Sequence, residues 1–322
     1  MSDLENNDNQ ENPETPPEFN RSRRSIHDIY PLISPIAAAF IGLIGGFFLY
    51  QFVGGILTLV IFGFDIDSAP VNSLRLMTMA GQILFILLPA LLFSKWIYGD
   101  VSDIISVKMP EWIELLLFTL GIFILTPLLQ SYLYIQNYFI EQLAANSEMV
   151  NSVKSFFDTM NELVEKTYAN MLKADSVPEM FLVILVIAVV PAIAEEVMFR
   201  GYIQRSFEFK IKPVWAALLT AVFFGLYHFN PYGLLPLITL GFYFGFAAYI
   251  SKSLIVPMFL HFVNNFGAIM LYYIIGDDEL INSNVTDYTG LESNITLFFI
   301  LGFLFTIIIF VIKKYYSKIK IT

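Results

Sequence analysis

Eight apolar runs constrain this chain more than any other feature. They cover roughly 35–62, 76–97, 112–135, 179–203, 213–230, 233–251, 254–275 and 295–316. A helix needs about 20 apolar residues to cross a hydrocarbon core about 30 Å thick. Inside lipid, each backbone polar group must find its partner within the protein, so continuous apolar runs of this length become helices. The expected fold is therefore an all-α polytopic membrane protein, a bundle of about eight transmembrane helices. Composition agrees: 57% of residues are hydrophobic and 14% charged, against about 25% charged in a soluble domain. The chain has no cysteine, which excludes a disulfide framework, a thiol nucleophile and a thiolate metal site. Its net charge of −10 gives no basis for a nucleic-acid partner.

Lysine and arginine placement orients the bundle. With the N-terminus in the cytoplasm and all eight runs spanning, the inner segments hold thirteen of the 18 basic residues and the outer ones four, Arg75, Lys154, Lys166 and Lys173. Arg200 falls within a span. The last outer loop, 276–294, carries five acids and no base. Both termini are thus expected in the cytoplasm. Residues 1–30 are polar and rich in Asn, Glu and Pro, the composition of a disordered tail. The organisation that follows is a tail over 1–30, a three-span region over 31–135, an extracytoplasmic insert over 136–178, a core over 179–275, and an outer loop, last span and basic C-terminus over 276–322. Within the insert, Val153, Phe156, Phe157, Met160, Leu163, Val164 and Tyr168 recur at helical spacing. This predicts an amphipathic helix, or two, lying on the membrane or capping the bundle.

Polar residues inside the spans mark the candidate site. Glu195-Glu196-Val-Met-Phe-Arg200 closes an apolar run, where a charge costs about 2.5–3.5 kcal/mol and is retained when paired or functional. Glu196 and Arg200 stand four apart with the acid first, the favourable order for an intrahelical ion pair. Glu195 lies about 100° around the helix from Glu196, which leaves it as the free carboxylate. Of three histidines, His27 lies in the tail, whereas His228 ends the fifth run and His261 lies in the seventh. Asn265 shares a face with His261, and Asn264 points aside, toward a helix–helix hydrogen bond. On straight helices Glu195 and His261 fall roughly 10–13 Å from the cytoplasmic end, Asn265 slightly deeper and His228 nearer ~20 Å.

Two chemistries suit these residue types. A desolvated carboxylate beside a histidine is a competent base toward water near neutral pH, with the remaining His and Asn donating to an oxyanion. Alternatively, Glu195, His228 and His261 form a three-ligand set with an open fourth position, the form of a catalytic zinc site. Residue types alone do not separate these routes.

Glu-Glu-x-x-x-Arg (195–200), Phe-x-x-x-His (224–228) and His-x-x-x-Asn (261–265), in that order on successive apolar helices, resemble the CPBP family. That family includes the CAAX prenyl endopeptidases of type 2 and bacteriocin-processing and immunity membrane proteins. The resemblance implies an intramembrane endopeptidase cutting a small or membrane-anchored protein. Glu195 and His228 would activate water, His261 and Asn265 would form the oxyanion hole, and Glu196, Arg200 and Phe224 would give support. A metal-free mechanism is favoured over zinc because no further carboxylate is visible near either histidine. The implied partners are the bilayer and a peptide or membrane-protein substrate, and the expected location is a bacterial inner membrane. The other readings are a non-catalytic immunity or scaffold protein and a proton-coupled transporter. Intact motifs argue against the first, and clustering of polar residues in the second half argues against the second.

Overall fold

A computed structural model of the protein describes residues 29–275 and 289–319. The expected tail and most of the acidic outer loop lie outside these residues. The described chain is all-α, with no strand. Its principal helices are α1 Pro35–Phe62, α2 Val71–Tyr98, α3 Trp112–Ala145, α4 Glu148–Leu172, α5 Val177–Glu208, α6 Pro213–Tyr227, α7 Leu234–Ser251, α8 Ile255–Ile275 and α9 Leu291–Ile319.

Seven of them, all but α4 and α6, are long and apolar enough to cross a membrane. The eighth apolar run behaves differently. α6 has 15 residues, about 22 Å of helix, which falls short of the hydrocarbon thickness. The sequence places the helix-breaking turn at Asn230-Pro231-Tyr232, but the backbone reverses earlier, at Phe229, whose φ of 49° is left-handed. His228 therefore caps α6 and stops at membrane depth. Irregular backbone is tolerated there only when protein covers it. Gln136 of α3 donates to the Tyr232 carbonyl at 3.0 Å, Asn230 accepts from the Gly233 amide at 2.7 Å, and the Tyr232 hydroxyl donates to Asp158 of α4.

Prolines start and disturb the helices as their chemistry requires. Pro35, Pro178 and Pro213 sit in first turns, where a missing N–H costs nothing. Pro89 and Pro191 sit inside α2 and α5. The turns just before them, Ile83–Leu87 and Ile184–Val189, widen to π-helical geometry, because proline removes a ladder donor and crowds the preceding carbonyl. α5 is the central helix and packs on α1, α2, α6, α7 and α8, while α3 and α9 pair along the flank. The glycine-rich first run meets its expected close packing at Gly42 and Gly46. A Cβ at Gly42 would lie 2.6 Å from the Tyr202 ring, and one at Gly46 2.3 Å from the Met198 methyl; Gly45 and Gly55 face open space.

The insert expected over 136–178 divides at residue 145. Its first part continues α3, and α4 follows as one amphipathic helix. Only part of the apolar stripe docks, Phe157 lying edge-on to the Tyr232 ring at 6.4 Å. Val153, Phe156 and Leu163 are exposed, while Asp158 and buried Asn161 lie on the side of Tyr232 and the bundle. Arg75 holds the far end. Only 1% exposed, it donates to Asn72 at 2.6 Å, to the Met171 carbonyl at 3.1 Å and to the Lys173 carbonyl. A cation over the last carbonyls of α4 satisfies orphan acceptors and complements the helix dipole. We expect Arg75→Ala to forfeit charged hydrogen bonds of about 1.5–3 kcal/mol each and to loosen the end of α4. Limited proteolysis should then cut within 160–176, and a cleavage pattern identical to that of the unmodified protein would show that the clamp is dispensable.

Candidate active site

Wide π-helical turns continue through Val197–Gln204, immediately after the paired glutamates, a form of helix defect that recurs at functional sites. Glu196 is fully buried, and its Oε1 lies 2.9 Å from Arg200 Nη1. The expected intrahelical pair is therefore formed. Arg200 also donates from Nη2 to the Gly241 carbonyl of α7 at 2.9 Å. One turn on, Gln204 donates to the Gly245 carbonyl at 3.0 Å, so a ladder with a four-residue step ties α5 to α7. Glycine is needed at both positions, because a Cβ would lie 2.9 Å from Phe224 Cδ1 at Gly241 and 2.6 Å from Gln204 Oε1 at Gly245.

Aromatic rings complete the enclosure. The Arg200 guanidinium carbon lies 4.5 Å from the Phe224 ring centre, 5.5 Å from Phe244 and 5.8 Å from Phe199. Desolvated cation–π contacts of this kind contribute about 2 kcal/mol or more. Phe224 also separates the histidines, 4.8 Å from the His228 ring and 6.1 Å from His261, and Phe244 stacks on His261 at 5.4 Å.

His261 is 4% exposed, and its Nδ1 lies 2.8 Å from Glu196 Oε1, the same oxygen that faces Arg200. This corrects the reading that no carboxylate stands near either histidine. The spacing assigned Glu196 to Arg200 alone, but that face of α5 also meets α8. With the carboxylate accepting, Nδ1 carries the proton and Nε2 is left for chemistry. His228 Nδ1 faces the Phe224 carbonyl at 2.8 Å. A carbonyl only accepts, so here too the free nitrogen is Nε2. Asn265 donates from Nδ2 to the Ile187 carbonyl at 2.9 Å, and its Oδ1 accepts from Asn264 at 3.2 Å. Thr126 of α3 lies 3.5 Å from the Asn264 oxygen, on the helix–helix side expected for that residue.

Glu195 differs from all of these. It is partly exposed, enters no hydrogen bond or ion pair among the described residues, and its buried Oε2 has no partner. Its charge acts on Tyr50 of α1, Tyr168 of α4 and Arg200. Burial of the hydroxyl end and then the Glu195 carboxylate push the Tyr168 phenol up from its ordinary value, although the residue as a whole is half-exposed. The depth estimate also shifts. Because α5 continues to Glu208, Glu195 stands roughly 20 Å from that end by helical rise, deeper than the run boundaries implied.

Zinc held by Glu195, His228 and His261 does not fit this arrangement. Among the described residues, no group of three or more His, Asp or Glu is placed to hold an ion. Tyr50, Phe199 and Phe244 escaped the sequence reading because an aromatic residue in an apolar helix carries no distinguishing pattern, and Tyr168 stood there only as part of the amphipathic stripe. Gly241 and Gly245 at a four-residue spacing did offer a signal, that of close helix approach.

The helical bundle and its enclosed polar cluster define an integral membrane protein with a site built inside its spans. Residues 177–267 match the family model described as Type II CAAX prenyl endopeptidase Rce1-like, and the match supports membership of the CPBP family. The matched segment covers less than a third of the chain but contains every motif residue named above. No curated protein and no solved structure matches the chain.

Proposed function

We propose that this protein is an intramembrane endopeptidase that hydrolyses a peptide bond of a small or membrane-anchored protein with water activated by Glu195. The observation that carries the reading is the contrast at Glu195-Glu196: Glu196 is fully buried with one oxygen shared by Arg200 and His261, while Glu195 is partly exposed and makes no ion pair or hydrogen bond among the described residues, although each carboxylate keeps one buried oxygen without a partner. A carboxylate with no partner inside an otherwise paired polar cluster invites a functional explanation, and a poised base is the one consistent with the surrounding groups.

In this mechanism, the Glu195 carboxylate removes a proton from water while His228 Nε2 accepts the second water hydrogen bond and fixes its lone pair. The hydroxide adds to the carbonyl carbon. The resulting oxyanion receives a hydrogen bond from the second N–H of Asn265 and faces His261, which Glu196 orients through Nδ1. Glu195 then passes its proton to the amide nitrogen as the C–N bond breaks. Removing one such oxyanion donor costs about 3–4 kcal/mol where measured elsewhere. The scheme uses no metal; we place the protein in a bacterial inner membrane, with both termini cytoplasmic on the strength of the basic-residue bias.

The test is N-terminal profiling of membranes from cells carrying the protein or His228→Ala at equal abundance. New protein termini should appear with the former and vanish with the latter. Cleavage of a substrate identified in this way should survive a chelator in detergent. Identical termini in both membranes would remove the enzyme reading, and stoichiometric zinc whose loss abolishes cleavage would remove the metal-free one.

A further inference from the structure

His228 opens a turn that does not hold itself. Residues 228–233 join α6 to α7, and Phe229 among them is left-handed, with φ of 49°. A β-carbon disfavours that conformation, which persists where the surrounding structure over-determines it. The turn's own bonds are modest. The His228 and Phe229 amides reach back to the Gly225 and Leu226 carbonyls at 3.2 and 3.3 Å, and the Asn230 side chain accepts from the Gly233 amide. Pro231 has no amide proton to offer.

Packing from outside supplies the rest. On the His228 side, Gln51 of α1 donates to the Tyr227 carbonyl at 3.3 Å, and the Phe47 ring lies 5.8 Å from that of Phe229. At the other end the contacts converge on Tyr232, which is 8% exposed. Gln136 of α3 donates to its carbonyl, Phe157 of α4 lies edge-on to its ring, and its hydroxyl donates to Asp158 Oδ1 at 2.5 Å.

Asp158 is itself fixed. Its Oδ2 lies 2.9 Å from Lys154 Nζ one turn earlier, and the same ammonium lies 3.2 Å from Glu141 near the end of α3. Both oxygens are thus committed, one to the turn and one to the cation that offsets the charge. A hydrogen bond to an ionised acceptor is roughly twice as strong as a neutral one, and the ion pair sets the direction from which it acts. The pair would contribute little as a surface salt bridge alone. Here it is partly buried and aimed at the turn that carries His228. Glu141, Lys154 and Asp158 all lie outside the segment 177–267 that matches the family model.

We propose that Asp158 is a positioning residue for hydrolysis. Acting through Tyr232, with Lys154 and Glu141 behind it, it holds the 228–233 turn so that His228 Nε2 keeps its place beside the reacting water. The proposal rests on His228 serving hydrolysis. It gives α4 a part in the reaction without contact to the substrate.

Hydrogen–deuterium exchange of the full chain in detergent reads the turn without turnover. In Asp158→Leu, amide exchange over 225–237 should speed up by about tenfold or more, as expected when one charge-assisted hydrogen bond is lost from a locally opening segment. Exchange over 195–208 of α5 should not change. Tyr232→Phe removes only the hydroxyl and should act alike, and the double variant should be no worse than either, since both delete one contact. Asp158→Asn keeps an acceptor for that hydroxyl and should restore most of the protection. On a substrate found by terminal profiling, Asp158→Leu and Tyr232→Phe should lower kcat by about 10–10²-fold, the scale of a misplaced catalytic group. KM should stay as it was, and Asp158→Asn should recover the rate. Should Asp158→Leu fail to fold, Tyr232→Phe carries the test. Unchanged exchange over 225–237, or a lowered melting temperature with unchanged kcat, overturns the proposal. Exchange that responds as expected in a protein that releases no new termini would defeat the hydrolase reading and leave Asp158 as the residue that positions the turn.

Discussion

Glu195→Gln abolishes peptide hydrolysis, by at least about 10²–10⁴-fold, the usual contribution of a positioned general base, while the protein remains folded. The two halves of this expectation have separate grounds. Glutamine keeps the shape and hydrogen-bonding capacity of the side chain but cannot take a proton from water. Stability is spared because Glu195 makes no ion pair or hydrogen bond among the described residues. Removal of an unpaired, partly buried charge offsets any packing change. Initial rates and a thermal melt in the same detergent decide the matter. A variant that cuts at an undiminished rate ends the role given to Glu195, and one that loses activity together with its fold would show the residue to be structural.

Arg200→Met has the opposite signature. Arg200 and Glu196 are both buried, and the carboxylate also orients His261. Removing the cation strands a charge in a dry core, which destabilises by about 3–5 kcal/mol. Loss of the Gly241 bond and of the three aromatic contacts adds to it. The double variant Glu196→Gln/Arg200→Met removes both charges, and neutral replacement of a buried pair is often tolerated, so it should regain much of the lost melting temperature. Its activity should stay low, since His261 then lacks the carboxylate that orients it through Nδ1. A double variant no more stable than the single one would mean that the pair is not the source of the loss. Recovery of full activity would mean that Glu196 does not act through His261.

These two glutamates show how far the sequence reaches. Helical spacing separated them into a paired and an unpaired carboxylate, and the pairing of Glu196 with Arg200 is a local i,i+4 contact that sequence can specify. Spacing could not show that Glu196 also meets His261, because that contact joins residues 65 positions apart and depends on how α8 packs against α5. The same limit applied to depth. Hydropathy found the apolar run ending near His228, but the helix stops at Tyr227 because the chain reverses at Phe229. A left-handed phenylalanine leaves no sequence signal comparable to that of glycine.

α4 makes the point from the other side. Its periodicity revealed an amphipathic helix, but not which face docks. Val153, Phe156 and Leu163 of the stripe look outward, while Phe157 and the polar Asp158 together meet Tyr232, because at membrane depth it is unsatisfied backbone and buried polar side chains, rather than exposed leucine, that most need a partner.

By itself, the sequence determined the lipid-embedded all-α class, the order of the polar motifs, and the split between an unpaired carboxylate and its paired neighbour. Each of these follows from run length or from spacing along one helix. Tertiary structure decided the short α6 that stops His228 inside the bundle, the sharing of one Glu196 oxygen between Arg200 and His261, and the meeting of Tyr50 and Tyr168 near Glu195. Those features are contacts between distant helices, fixed by which small residues let backbones approach and which buried polar groups must be satisfied, and no local pattern records them.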